Sequence, residues 1–331
     1  MAVTVHTPVL STKSVGLADQ RTGGGVTVHT PVLLKELLEC LAPSSEGIYV
    51  DGTLGAAGHA VAVLEASNPS GVLIGLDQDE EILKIAKENL KFFENRARIV
   101  KANFSDIAGV LKKLDFEKVD GIYLDLGVSS LQLDRPERGF SFRAAGPIDM
   151  RMDPATGESV LEKIRKSDEK ELTQILREYG EERLAPKIAR ALLEKIRRGE
   201  LQTTLDVATS VFNIYPPRQR YGRIHPATRT FQALRIWVND ELGSLKRFLS
   251  AAPALLKEGG HLCVMSYHSL EDRIVKHTFR DLSKKGFKIL TKRPVIASKE
   301  EIKVNPRSRS AKLRVLLLPP SPQPPSPRGR G

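Results

Sequence analysis

Cysteine is almost missing from this chain: its 331 residues include two, Cys40 and Cys263. That excludes a secreted disulfide scaffold and a zinc cluster, and reads as two free thiols in a reducing compartment with no metal site. No run approaches the roughly 18 consecutive apolar residues of a membrane helix, so a helical span is excluded. The first 25 residues hold a single acid, Asp19, and several hydroxyls, but too few arginines for an organelle transit peptide. A cytoplasmic protein is expected, bacterial rather than organellar. Acids also thin out toward the other end. Residues 273–331 contain 16 Lys and Arg against three Asp and Glu, whereas residues 1–130 contain 12 against 17. Within a formal net charge of +11, this asymmetry suits a polyanion such as RNA.

What is present is an ordinary globular mix, 40% hydrophobic and 27% charged, which rules out wholesale disorder. Val3–Leu10 recurs verbatim as Val26–Leu33. Two copies do not make a solenoid, and only the second runs into a helically spaced apolar pattern, so residues 1–25 read as a flexible extension. Residues 319–331 form a Pro/Ser/Arg tail that cannot bury a core. Between the ends, strand-like runs at 47–51, 72–77, 98–101 and 121–126 alternate with helices near 59–66, 80–92 and 107–114. This is the signature of a parallel, doubly wound α/β sheet. From about 132 to 228 no convincing strand occurs, and strands return at 261–266, 287–292 and 311–318. The pattern predicts a discontinuous domain, 26–131 with 229–318, carrying an inserted helical domain at 132–228. One long helix follows the insert, with an apolar stripe at Phe231, Leu234, Val238, Leu242, Leu245 and Leu249.

In such a sheet ligands bind beyond the carboxyl ends of the strands. Three segments bring suitable groups there. Asp51-Gly-Thr-Leu-Gly-Ala-Ala-Gly-His59 is a turn of small residues before a helix; Asp77 ends the second strand, where a carboxylate can accept from both ribose hydroxyls; Asp125 ends the fourth, beside Gly127, Ser129 and Ser130. Together they indicate an adenosine-bearing cofactor, either NAD or S-adenosylmethionine. The spacing Gly52-x-x-Gly55-x-x-Gly58 is not the dinucleotide G-x-G-x-x-G, which favours the methyl donor.

These residues resemble the MraW/RsmH-type methyltransferases, which have a Rossmann-like class I methyltransferase fold and methylate the exocyclic N4 of a cytidine in the decoding region of small-subunit (16S) ribosomal RNA. The resemblance covers about residues 29–318. It is carried by His29–Leu34, Tyr49–Gly55, Leu124–Ser130, Gln132–Asp134, Arg138–Phe142, Gly146–Asp153, Ile224–Ile236, Ser266–Arg273 and Asn305–Arg314. It implies donor contacts at Ala57, Gly58, His59, Asp77 (ribose), Phe104 (adenine side), Asp125 and Gln132. The family usually has glycine where this chain has Ala57, a substitution that strains the turn if φ there is positive.

The amine of cytosine is a poor nucleophile, so catalysis should come from aligning N4 with the sulfonium methyl while an acceptor takes an N4 proton. Asp125 is the candidate acceptor. For RNA, the Pro/Gly loop Tyr215–Arg223 offers Arg218, Arg220 and Arg223 with two tyrosines; Arg229 and Asn239 lie opposite the apolar stripe; His268 follows a strand end; Arg307 and Arg309 charge the last strand's approach. Ser269 with Asp272 reads as a capping box. The target cytidine would have to be unpaired or flipped. Two rivals stand beside a methyltransferase acting on the small ribosomal subunit: a non-catalytic ribosome-assembly protein that kept the fold, and an NAD-dependent oxidoreductase.

Overall fold

The structure, a computed structural model, describes residues 31–321. The first copy of the duplicated segment and most of the Pro/Ser/Arg tail lie outside the described residues. Eight strands form one sheet: β1 (Ile48–Asp51), β2 (Val72–Asp77), β3 (Ala97–Lys101), β4 (Val119–Asp125), β5 (Leu256–Ser266), β6 (Lys288–Ile289), β7 (Val295–Ile296) and β8 (Lys312–Leu317). Their order is β3-β2-β1-β4-β5-β8-β6, with β7 also on β8. The first five are parallel, and β8 runs antiparallel to β5. Helix α1 (Leu34–Leu41) precedes β1, and α2 (Gly58–Ala66), α3 (Glu80–Asn89) and α4 (Ile107–Lys113) cross between strands. Strands β1 to β3 are added toward one edge and β4 and β5 toward the other, so the strand order reverses between β1 and β4 and sets the switch point there. No helix among the described residues is long and apolar enough to cross a membrane.

The side-chain period of two divides the sheet's residues between two cores. Tyr49, Leu73, Tyr123, Cys263 and Met265 point to the face covered by α1 and α2. Val50, Ile74, Ile122, Leu124, Leu262 and Val264 point to the other, with α4 and two later helices. Strands buried on both faces are near-continuous apolar runs, as the sequence shows.

Between β4 and β5 the chain is helical: α5 (Ser130–Asp134), α6 (Val160–Lys166), α7 (Glu169–Gly180), α8 (Ala185–Arg197), α9 (Thr204–Ile214), α10 (Pro217–Arg220), α11 (Ala227–Asn239) and α12 (Glu241–Ala251). A third core, with Ile164, Leu172, Leu176, Ile188, Leu192, Val207 and Phe231, belongs to this region. Helices α13 (Ser269–Ser283) and α14 (Lys299–Val304) complete the fold.

The single long helix expected after the insert is two. Asp240, at φ 47°, ends α11 and starts α12. The apolar stripe continues in sequence, but its halves serve different cores: Phe231 and Leu234 pack in the third, helical core, which thus extends past residue 228, and Leu245 and Leu249 against the sheet. Spacing records which face is apolar and says nothing of what it faces. Fully buried Phe248 on α12 meets Phe104 edge-on at 5.7 Å, tying α12 to the strand-end rim. Phe248→Ala is expected to cost roughly 3–5 kcal/mol, read by urea denaturation.

Candidate active site

The rim is built first by β1 and the turn after it. Asp51 ends β1 and is 1% exposed; its Oδ1 accepts from Thr53 N at 3.0 Å. Gly52 N donates to Tyr123 O, and a Cβ on Gly52 would fall 2.3 Å from Leu124 Cδ2, so any larger residue would have to displace that buried leucine. Gly55, at φ 53°, donates its N–H to Asp77 Oδ2 at 3.0 Å. The other Asp77 oxygen accepts from Asp79 N at 3.0 Å. Ala57 then opens α2 as its N-cap, buried, with φ 68° and ψ 21°. The left-handed conformation that favours glycine is therefore what this alanine adopts, with strain of roughly 1–2 kcal/mol.

Asp125, at the end of β4, is gripped from three sides. Its N–H donates to Thr53 Oγ1 at 2.7 Å, Tyr267 Oη donates to its Oδ1 at 2.6 Å, and His59 Nδ1 stands 3.8 Å from its Oδ2. His59 Nε2 lies 2.9 Å from the Val32 carbonyl, which can only accept, so that nitrogen carries the ring proton. Neither Thr53 nor Tyr267 stands out by pattern in the sequence. A hydroxyl two residues past a strand-end acid and a tyrosine just past β5 gain meaning only once β1, β4 and β5 are neighbours.

The three strand-end acids share one electrostatic condition. Burial raises Asp51 to about 7, with Asp125 and Asp77 adding repulsion, and burial raises Asp77 to about 6. Asp125 is raised by burial too, against the pull of His59 and Tyr267. Asp51 Oδ2 and the neighbouring Tyr123 Oη are buried against each other, and neither has a partner beyond the other. A cation placed here relieves all three acids, whereas a pyrophosphate would be repelled. The residues thus fit the sulfonium and ammonium of a methyl donor better than a dinucleotide.

Phe104 stands in a short 3₁₀ turn after β3, on the same side of the rim. Gln132 is 3% exposed and fully engaged: its Oε1 accepts from Ser129 N in the capping box of α5, and its Nε2 donates to Asp79 Oδ2. Asp79 is buried as the N-cap of α3 and forms an ion pair of 2.7 Å with Arg138. Arg138 in turn donates to the carbonyls of Arg151 and Met152, and Asn239 of α11 holds Met152 N and Met150 O at 2.8 Å each. Met152 Sδ accepts from Gln78 Nε2, beside Asp77. Asp79 and Arg138 carry no warning in the sequence beyond a helix-cap position and a place in a family-like segment.

The residues singled out for RNA do not gather in one place. Arg218 and Arg223 are exposed, and Arg220 donates to Tyr215 O and Asn213 O. Exposed Arg229 donates to Glu181 O at the end of α7. Arg307 pairs with Asp134 and Ser130 of α5, while Arg309 is exposed. One expectation is corrected: α13 is capped by His268 with Glu271, not by Ser269 with Asp272. Ser269 instead donates to Glu181 Oε2, and Asp272 pairs with Arg314. The chain enters α13 one residue earlier than the hydroxyl pattern suggests, and an imidazole nitrogen serves as the cap acceptor.

Two measurements follow from the turn and its acids. Ala57→Gly relieves the left-handed strain at the cost of some unfolded-state entropy, and should raise stability by about 1 kcal/mol in chemical denaturation. Asp51→Asn removes a carboxyl whose folded pKa, about 7, lies above its unfolded value, and offers an amide to Tyr123 Oη. Wild type holds that acid's stability below about pH 4 and loses it up to about pH 7, as the unfolded chain ionises first. The variant's advantage should therefore grow between those limits by on the order of 4 kcal/mol and level off above them, as melts across that range would show.

Comparison with known proteins agrees with this geometry. The model for the MraW methylase family matches residues 26–317. A protein of Geobacter sp. (strain M21), named ribosomal RNA small subunit methyltransferase H, is 46% identical over 301 residues, covering 86% of this chain and 96% of its own. Proteins of the same name from Trichlorobacter lovleyi and Sorangium cellulosum are 48% and 49% identical over 86% of this chain, and over 96% and 88% of their own lengths. With the family match spanning the sheet, the insert and the rim that holds Asp51, Asp77 and Asp125, the chain belongs to the MraW methylase family.

Proposed function

We propose that this chain transfers a methyl group from S-adenosylmethionine to the N4 amine of a cytidine in the decoding region of the small ribosomal subunit's RNA, in the cytoplasm. The observation that carries the reading is the trio of strand-end acids, raised together by burial around a glycine turn at the switch point. The family and the relatives' shared name support methylation of small-subunit ribosomal RNA; the N4 position and the decoding region rest on the sequence resemblance.

When bound, S-adenosylmethionine supplies an electrophilic methyl on a cationic sulfur. Asp77 is assigned to the ribose hydroxyls, since its two oxygens are already fixed by Gly55 N and Asp79 N and keep free lone pairs. Ala57, Gly58 and His59 line the turn, Phe104 the adenine side, and Gln132 fixes Asp79 behind the ribose acid. Asp125 is assigned a second task, accepting the N4 proton. Its raised pKa makes it a better base than an ordinary aspartate, and Tyr267 and Thr53 fix its direction. The helices between β4 and β5 form the substrate-recognition unit. Arg218 and Arg223 of that unit, with Arg309 just before β8, are assigned as phosphate ligands, whereas Arg220, Arg229, Asn239, His268 and Arg307 shape the surface through contacts within the chain.

The test incubates the full chain with labelled donor and small subunits that lack the modification, then maps the product by nuclease digestion and mass spectrometry. N4-methylcytidine at one decoding-region site is expected; donor binding without transfer would favour the assembly-factor reading. Asp77→Ala should weaken donor binding by about 10- to 100-fold in calorimetry, the worth of charge-assisted hydrogen bonds. Asp125→Asn should lower kcat by about 10²-fold with a smaller change in donor affinity. An equal loss in both would make Asp125 a binding residue alone.

A further inference from the structure

The loop between α9 and α11 shows side chains that the protein does not use itself. Its exposed end stands on a file of rings. Phe231 meets Phe142 at 4.7 Å between centroids, Phe142 meets His225 at 4.7 Å, His225 stacks on Phe212 at 5.8 Å, and Phe212 meets Tyr221 edge-on at 5.7 Å. The inner end is core, with Phe231 6% exposed, while Tyr221 at the outer end is 86% exposed. Tyr221 thus stands at the outer end of this file and offers its ring to solvent.

A single exposed aromatic requires no explanation, but this one comes with unspent charge. Arg218 and Arg223 flank it, both exposed, with no hydrogen bond or ion pair among the described residues. The other two candidates of the loop are spent. Arg220 lies over Phe212 at 5.3 Å with its donors on backbone carbonyls, and Tyr215 Oη donates to Glu182 Oε2 at 2.7 Å. His225 Nδ1 accepts from Ala227 N, so its ring proton sits on Nε2 and leaves a fixed donor within the file, behind the Phe212 ring that meets Tyr221. A flat π-face, two free guanidinium groups and one fixed donor match a nucleotide, and only an unpaired nucleotide has a base face to give.

We infer that Tyr221 is the stacking platform for one unpaired nucleotide of the substrate RNA, with its phosphates on Arg218 and Arg223. This rests on the RNA-methyltransferase reading and adds the strandedness of the substrate at that point. The full chain is titrated with a short single-stranded RNA carrying 2-aminopurine beside a cytidine, and with the same strand annealed to its complement. Wild type should quench the fluorophore and prefer the single strand. Tyr221→Ala should bind about tenfold more weakly and lose the quench, with an unchanged melting temperature. Tyr221→Phe, which keeps the π-face, should stay within about twofold of wild type. Arg218→Ala and Arg223→Ala should each reduce the salt dependence by about one charge.

Absence of quenching with wild type, equal affinity for the duplex, or an unaltered Tyr221→Ala variant each overturns the inference. Methyl transfer to small subunits, measured in parallel, separates the two readings. Quenching without transfer removes the activity and leaves the platform, whereas transfer with an unaltered Tyr221→Ala removes the platform alone.

Discussion

Three carboxylates kept from water at the ends of adjacent strands set the terms for the rest of this molecule. Carboxylates in that position repel one another and lose hydration, so each needs donors aimed at it. The fold supplies them from separate parts of the chain: backbone N–H groups of Thr53, Gly55 and Asp79, and the hydroxyl of Tyr267 from beyond β5. Tyr267 reaches Asp125 only because a long helical insert leaves the sheet after β4 and returns β5 beside it. What remains is unrelieved desolvation and repulsion, which still raise Asp51 to about 7.

The insert is held to that rim through one buried ion pair. Arg138, 8% exposed, and Asp79, fully buried, meet at 2.7 Å. Burying such a pair costs desolvation, and here nearly every remaining donor and acceptor is used. Asp79 caps α3 and takes Gln132, while Arg138 takes two carbonyls of the segment that Asn239 clamps from α11. The chain from Asp77 through Asp79 and Arg138 to α11 is continuous, so the groups assigned to the donor and the helices proposed to recognise RNA share one scaffold. Ala57 departs from this economy: it is a left-handed alanine where glycine would be unstrained.

Much of the site was legible because strand ends and glycine turns have local signatures. Asp51, Asp77 and Asp125 each close an apolar run, and Gly52 and Gly55 sit where a side chain would collide or φ is positive. Residues whose roles depend on a distant contact were not legible. Tyr267 lies 142 positions from Asp125, and Arg138 has the composition of any surface arginine. The arginines of the insert looked alike in sequence and differ in space: Arg220 folds back onto backbone carbonyls, while Arg218 and Arg223 do not.

The sequence by itself determined the alternation of strands and helices as far as β4, the point where the sheet is interrupted, and the acids at its carboxyl ends. Period, capping and turn chemistry act over a few residues and are written in neighbouring letters. The tertiary structure decided which core each half of the stripe from Phe231 to Leu249 serves, which nitrogen of His59 carries the proton, and which loop side chains remain for a partner. It also decided that Ala57 is strained. Each of these depends on atoms brought together from distant positions, and on whether a polar group's needs are met by the protein or left for something else to meet.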